Sequence, residues 1–233
     1  MATGLGGEIM WLCPSLDDTG NGTTTLYDQS GNGKNGTLTN MSPASDWVAD
    51  TANGGVRAID HDGTNDYVLT SLTSVPTSTH SISMWAFKQS AYDGMQINQR
   101  GGGGNQWQMW LSPSGTSTKL QYWNGTTTHS STDNVPQDAW VHGCVTRDGT
   151  DVKFYINGVL AGAVTASVPS ASTAAVRIYY EGFVYSRGKW DDCRIFNRAI
   201  TPIEVAKLAS ARGAEGPAVS TDYYQGLRRG LLR

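Results

Sequence analysis

Acid–base chemistry is the first use that paired side chains would have, and this sequence does not offer the pairs. Glycoside hydrolysis with retention needs two carboxylates about 5 Å apart across the scissile bond. The chain contains four glutamates, Glu8, Glu181, Glu204 and Glu215, and Glu204 reads as a helix cap. Asp191 and Asp192 are adjacent, and neighbours on a strand point to opposite faces, so they are not expected to address one bond. No Gly-x-Ser-x-Gly or His-Glu-x-x-His occurs. The glycine run Gly101–Gly104 continues into Asn105 and Gln106, with no Lys or Ser/Thr to complete a phosphate cradle. His61, His80, His129 and His142 show no ligand spacing. Cys13, Cys144 and Cys193 each lie in an apolar or alternating run and read as buried thiols acting as small hydrophobes; the alternative is one disulfide and a free thiol. The sequence therefore reads as a non-enzyme.

What remains is chemistry of binding. In Trp107-Gln108-Met109-Trp110-Leu111, alternation puts Trp107, Met109 and Leu111 on one face and Gln108 and Trp110 on the other. In Leu120-Gln121-Tyr122-Trp123, Gln121 and Trp123 oppose Leu120 and Tyr122. If the two strands pair, Trp110 and Trp123 form a stacking platform for a sugar ring, with Gln108 and Gln121 beside it. The ordinary alternative is that these tryptophans are core. A second set lies in the loop from Asp28 to Asn35, rich in the oxygen ligands that a hard cation wants. Asp28 and Asn32 can equally bond their own backbone in an Asx-type turn. A third is the apolar-basic tail Leu227, Arg228, Arg229, Leu231, Leu232 and Arg233. It reads either as a loose end or as a segment that docks on a neighbouring subunit or partner.

The elements that must position these residues are short. Among 233 residues, 28 are glycine and only 16% are charged. The gaps between apolar runs are filled with Thr, Ser and Asn, as in a many-stranded sandwich with frequent turns. Strands are predicted at Ile9–Leu12, Val56–Ile59, up to Leu69, Ile82–Phe87, Trp107–Leu111, Leu120–Trp123, Trp140–Val145, Val152–Ile156, Val159–Ala161, Ala175–Tyr179 and Trp190–Phe196. Asn157-Gly158 is the clearest hairpin turn, because both residues tolerate positive φ. Thr201-Pro202-x-Glu204 reads as a capping box opening one short helix that Gly213 ends. The organisation predicted is one domain over 1–213, then a linker and tail over 214–233. A formal net charge of −3 gives no footprint for nucleic acid. No run approaches the length of a membrane span, and no signal peptide is visible.

Five segments in order resemble the laminin-G-like jelly-roll domains of the concanavalin A-like lectin and glucanase superfamily. They are Asp28-Gln29-Ser30-Gly31-Asn32-Gly33-Lys34-Asn35-Gly36, Ala58 to Val68, Ser81 to Trp85, Trp140-Val141-His142 with Phe154 to Val159, and Gly188 to Thr201. In the second, His61 stands where the family prefers an aromatic. The resemblance implies an all-β, two-sheet antiparallel β-sandwich, a concanavalin A-like jelly roll with one short C-terminal helix and an extended tail. It also implies one structural calcium ion on Asp28, Asn32 and Asp191, with Asp192 ranked behind them. The Glu-x-Asp-x-x-Glu of the glucanase branch is missing. Two functions fit: a structural or assembly protein displayed on a surface, such as a virion decoration or appendage subunit, or a lectin or adhesion module binding glycans. Both place the chain outside the cell or on a virion.

Overall fold

The computed structural model describes residues 4–17, 23–88, 94–101, 104–112, 118–181 and 184–214. In chain order its elements are β1 (Glu8–Leu12), β2 (Thr25–Leu26), β3 (Gly36–Thr39), the one-turn helix α1 (Pro43–Asp46), β4 (Trp47–Ala49), β5 (Arg57–Asp62), β6 (Tyr67–Thr70), β7 (Thr79–Lys88), β8 (Gly94–Gly101) and β9 (Gly104–Leu111). There follow β10 (Lys119–Trp123), β11 (Thr128–Asn134), β12 (Ala139–Asp148), β13 (Asp151–Ile156), β14 (Val159–Thr165), β15 (Arg177–Ile178), β16 (Tyr180–Glu181), β17 (Val184–Tyr185), β18 (Arg187–Phe196) and helix α2 (Pro202–Leu208).

The strands form two eight-stranded antiparallel sheets, and β16 pairs with β17 in a small two-stranded one. The first runs β14-β13-β12-β7-β18-β5-β4, with β1 also paired to β18; the second runs β11-β10-β9-β8-β15-β6-β3-β2. Period-2 alternation explains how they pack. Ile82, Met84 and Ala86 of β7 and Val141 and Val145 of β12 turn inward from the first sheet. Ile97, Trp107, Met109, Leu111, Leu120 and Tyr122 meet them from the second, all without solvent exposure. A slip of one residue in β9 or β10 would turn that strand's inward side chains to the outer face, so their register is strongly fixed.

The outer face of the first sheet is also covered. Phe196, Cys144 and Tyr155 pack beneath Ile200, Val205 and Leu208 of the α2 region, and Trp85 Nε1 donates to the Leu208 carbonyl at 3.0 Å. The capping box predicted for α2 is present: Thr201 Oγ1 accepts from the Glu204 amide, and Glu204 accepts from the Thr201 amide. Arg198 pairs with Glu204, and hydrogen bonding to that guanidinium holds the carboxyl down at about 2. Asn157 and Gly158 adopt the predicted positive φ, 50° and 82°. A Cβ at Gly158 would lie 3.2 Å from Ala206 Cα, so this turn packs against α2.

Four sequence expectations are corrected. The helix ends at Leu208 with Ala209 as its cap; Gly213, φ 71°, makes a later turn. The strand expected over Ala175–Tyr179 is only β15, and β2, β3, β4, β8, β11, β16 and β17 are additional. All three cysteines are buried and free, which removes the disulfide alternative. Asp191 and Asp192 do not follow simple alternation, because the β18·β7 ladder shifts register between Asp191 and Arg194 and Asp192 takes φ 48°. This β-bulge turns both carboxylates onto β1 and the segment that follows it. Asp191 accepts from the Ser15 amide at 3.2 Å and from its hydroxyl. Asp192 accepts from Trp11 Nε1 at 2.7 Å.

Those two carboxylates organise a buried ionic layer. Arg194 grips Asp192 in a fork, Nε to Oδ1 at 2.7 Å and Nη2 to Oδ2 at 2.9 Å, while its guanidinium lies 3.8 Å over the Trp11 ring. The segment after α2 closes on this pair: the Gly213 amide donates to Asp192 Oδ2 and the Ala214 carbonyl accepts from Arg194. Arg212, 3% exposed, stacks over Trp140 and lies between Asp50 at 3.2 Å and Asp191 at 3.7 Å. Bidentate geometry of this kind is needed to offset the cost of taking charges out of water.

Candidate functional site

The tryptophans read as a platform lie on the outer face of the second sheet. Two rows of outward side chains cross it. In one, Trp123 on β10 stands opposite Gln108 on β9, and Gln108 opposite Asn98 on β8. In the next, Gln121 stands opposite Trp110, and Trp110 opposite Gln96. Trp110 and Trp123 are therefore diagonal neighbours on adjacent strands, a separation aromatic side chains span. Both are half-buried, while Trp107, Met109, Leu120 and Tyr122 behind them are fully buried. The face assignments made from alternation hold for all nine residues of the two strands that were considered.

Trp110, Trp123 and Gln108 line one open pocket of about 290 Å³, together with Arg100 and Thr128. Gln121 does not line it; its amide Nε2 donates sideways to Ser130 Oγ at 3.0 Å. The residue that sequence reasoning missed is Arg100. Its guanidinium sits 4.6 Å from the centroid of the Trp123 ring, and its Nη1 donates to Gln108 Oε1 at 3.1 Å. Burial draws its pKa down from the usual value, yet a guanidinium stays protonated throughout the working range of a protein. The floor of the pocket is thus an indole face bearing a cation, held by an amide. Such a floor can stack a pyranose or furanose ring and present N–H donors to its oxygens.

The residues read as calcium ligands are otherwise engaged. Asp28 Oδ1 accepts from the amides of Trp11 and Ser30, and Oδ2 from Ser30 Oγ and the Lys34 amide. Four donors fill the lone-pair sites of one carboxylate. Asn32 turns its Nδ2 to the Glu8 carbonyl and Ser30 Oγ. Asp191 is fully buried among Ser15, Cys13 and Arg212, and burial raises its carboxyl to about 6. Among the described residues no three His, Cys, Asp or Glu side chains group as metal ligands. As arranged, Asp28, Asn32 and Asp191 do not fit a calcium ion, and the Asx-type turn accounts for the loop. The tail residues Leu227, Arg228, Arg229, Leu231, Leu232 and Arg233 lie outside the described residues.

Comparison with known proteins fits this geometry. A laminin-G-type family model of the concanavalin A-like lectin/glucanases superfamily matches residues 62–206. The chain belongs to this superfamily. No curated protein sequence matches the lectin-like chain. Its fold is shared by domain 4 of an extracellular arabinanase from Geobacillus stearothermophilus, solved with arabinotriose, at 19% identity and a TM-score of 0.62 over 90% of this chain and 100% of that one. It is shared too by the ligand-binding domain of botulinum neurotoxin serotype D, solved with N-acetylneuraminic acid, at 13% identity and 0.61, over 87% of this chain and 50% of that one. Trypanosoma rangeli sialidase in complex with sialic acid matches at 10% identity and 0.59, over 87% of this chain and 32% of that one. The lectin-like chain thus spans about half of the toxin domain and a third of the sialidase. At these identities the likeness is one of fold. No helix among the described residues is long and apolar enough to cross a membrane.

Proposed function

We propose that this lectin-like sandwich is a non-catalytic carbohydrate-binding module that takes a sugar on the outer face of its second sheet. The observation that carries the reading is the single open pocket wall formed by Trp110 and Trp123 with Gln108 and Arg100. Concave sites with a few convergent polar groups among aromatic surface are the usual form of small-ligand sites. The platform stands on paired strands with fully buried neighbours behind it, so little ordering entropy is lost on binding. The arabinotriose held by the Geobacillus domain supports sugar binding by this fold. The test is a glycan array followed by titration calorimetry on each hit. Trp110→Ala and Trp123→Ala are each expected to weaken binding at least tenfold, about 1.4 kcal/mol. Binding that survives both changes unaltered would overturn the assignment.

A second reading, a displayed structural or assembly subunit such as a virion decoration protein, is favoured by a different surface. Val159, Leu160 and Ile203 are exposed at 68%, 52% and 83%, and the Gly158 turn brings the hairpin against α2. Exposed apolar groups collected at one end of a domain suit contact with another subunit. On this reading the chain works outside the cell or on a virion, and Ile203→Lys with Leu160→Lys lowers the sedimenting mass of any oligomer. A mass already monomeric, and unchanged by the substitutions, argues against it. The two readings use separate surfaces and can hold together.

A further inference from the structure

We infer that the ligand is a short oligosaccharide, two or three rings long, that lies obliquely over β9 and β10 with one ring on Trp110 and another on the Trp123–Arg100 stack. The inference rests on the sugar-binding reading above and deepens it, since that reading asks only for one ring. The two indoles are separate stations. Trp110 stands opposite Gln121 and Trp123 opposite Gln108, so the tryptophans are offset by two residues along paired strands. Diagonal neighbours of this kind stand about 7–8 Å apart. Their rings do not turn together to close that gap: Trp110 and Trp123 make no ring contact with each other, and Trp123 instead carries the Arg100 guanidinium at 4.6 Å. A pyranose or furanose ring is no wider than an indole, so a ring stacked on Trp110 leaves Trp123 to a different ring. Both tryptophans nevertheless line one pocket, and one ligand can meet both stations.

The flanking strands set the direction in which the rings run. On the β8 side the outward Gln96 and Asn98 are 3% and 1% exposed, because the β16–β17 hairpin and the residue after it lie over them. Asn98 Nδ2 donates to the Tyr180 carbonyl, and Ser186 Oγ donates to Gln96 Oε1 at 3.1 Å. On the β11 side Thr128, opposite Trp123, is exposed and lines the pocket. The covered flank keeps a ligand off the outward positions of β8, so its rings follow the diagonal from Trp110 on β9 to Trp123 on β10. Two linked rings gain more than one, because the second contact forms within a complex whose translational freedom is already lost.

The test uses the full chain and linear series of one to four units of arabinose, xylose, glucose, galactose, mannose and N-acetylglucosamine. Each series that binds is measured by calorimetry, with ligand-detected NMR titration for the weakest members. Affinity is expected to rise at least tenfold from one unit to three and to level off at four. Trp110→Ala and Trp123→Ala are each expected to remove that rise, leaving the one-unit and three-unit ligands within about twofold of each other. Trp123→Phe, which keeps an aromatic face, is expected to retain part of it. Thermal melts of the variants confirm that folded protein is compared. A single sugar that binds as tightly as its three-unit ligand overturns the inference while leaving the sugar-binding reading standing. A rise that survives both alanine changes places the second contact elsewhere and overturns the two stations. An undiminished gain from three units to four overturns the short ligand. If no series and no other array glycan binds, the sugar-binding reading fails and the inference with it.

Discussion

Lowering the pH from 7 to about 4.5 should unfold this protein, and three buried histidines set the size of the effect. His61 accepts from Trp190 Nε1 and stacks on Tyr179 at 4.4 Å. His80 sits between the Pro76 carbonyl and the Tyr122 hydroxyl, and His142 against Ser83 Oγ. Burial lowers their pKa values from 6.5 to about 3, 4 and 4. The unfolded chain therefore binds three more protons than the fold between roughly pH 6.5 and 4. Stability is fully present above 6.5 and is lost as pH falls. At pH 4.5 each ring lies two units below its unfolded pKa, which at about 1.4 kcal/mol per unit costs about 2.7 kcal/mol, or on the order of 8 kcal/mol for the three.

Asp191 works the other way. Burial raises its carboxyl to about 6 from 3.8, so the fold takes up its proton first and gains about 2 kcal/mol on the same descent. Around His142 the Asp192 and Arg194 charges oppose each other, and Glu204, held at about 2, begins to cost stability only below its ordinary 4.5. The net loss is about 6 kcal/mol, comparable to the whole stability of a typical domain. Near-UV and far-UV circular dichroism across an acid titration, with back-titration to show reversibility, should give a cooperative midpoint between about pH 4 and 5. Urea melts at several pH values in that range should show a net uptake of about two protons on unfolding, three from the histidines less one from Asp191. A midpoint below about pH 3.5, or NMR titration of the three imidazoles in the folded protein near 6.5, would refute the reasoning.

Asp192→Ala should be among the most damaging single changes: it strands the buried Arg194 guanidinium and frees the Gly213 amide, and chemical melts should register a loss of about 3–5 kcal/mol. Trp107→Ala and Trp110→Ala, three residues apart on β9, should separate folding from binding. The first empties a fully buried site and costs about 3–5 kcal/mol; the second should leave the melting temperature much less changed while abolishing sugar retention on affinity electrophoresis. Treatment with chelator should leave the melting temperature unchanged, because Asp28 already accepts four protein donors. A rise in melting temperature on adding calcium would show that the loop rearranges around an ion.

Strands whose inner positions are apolar were legible. Met84, Met109 and Tyr122 declare their faces by alternation, and residues 188–201 carry the sandwich's last long strand into a capped helix. Strands whose inner positions are polar were not. In β8 the inward Gln99 is fully buried, its amide donating to the carbonyls of Thr73 and Ala174. Only Ile97 in Gln96–Arg100 is apolar, and no hydrophobic period can be drawn through one residue. The edge strand β11, Thr128–Asn134, has no aliphatic residue at all. It is held by backbone pairing to β10, which composition does not reveal.

The same blindness explains what was missed at the candidate site. Trp110 and Trp123 could be placed together because each alternates against apolar partners on its own strand. Arg100 belongs to the strand whose pattern is silent, so nothing in the sequence ties it to Trp123. Arginines are also normally taken as solvated surface, yet Arg147, Arg194 and Arg212 here are 0–3% exposed. Each meets partners distant in sequence: Arg147 the carbonyls of Ala166 and Ser167, Arg194 Glu8 and the Ala214 carbonyl, Arg212 Asp50. Their pairing is a property of tertiary closure. The residues read as calcium ligands show the same thing in reverse: their carboxylates look available in one dimension and, as arranged, meet amides, hydroxyls and a guanidinium in three. A charged side chain in this sandwich therefore reveals its role only through its partners, and Arg100, whose partners include the ring a sugar would stack on, is the one whose role most directly concerns binding.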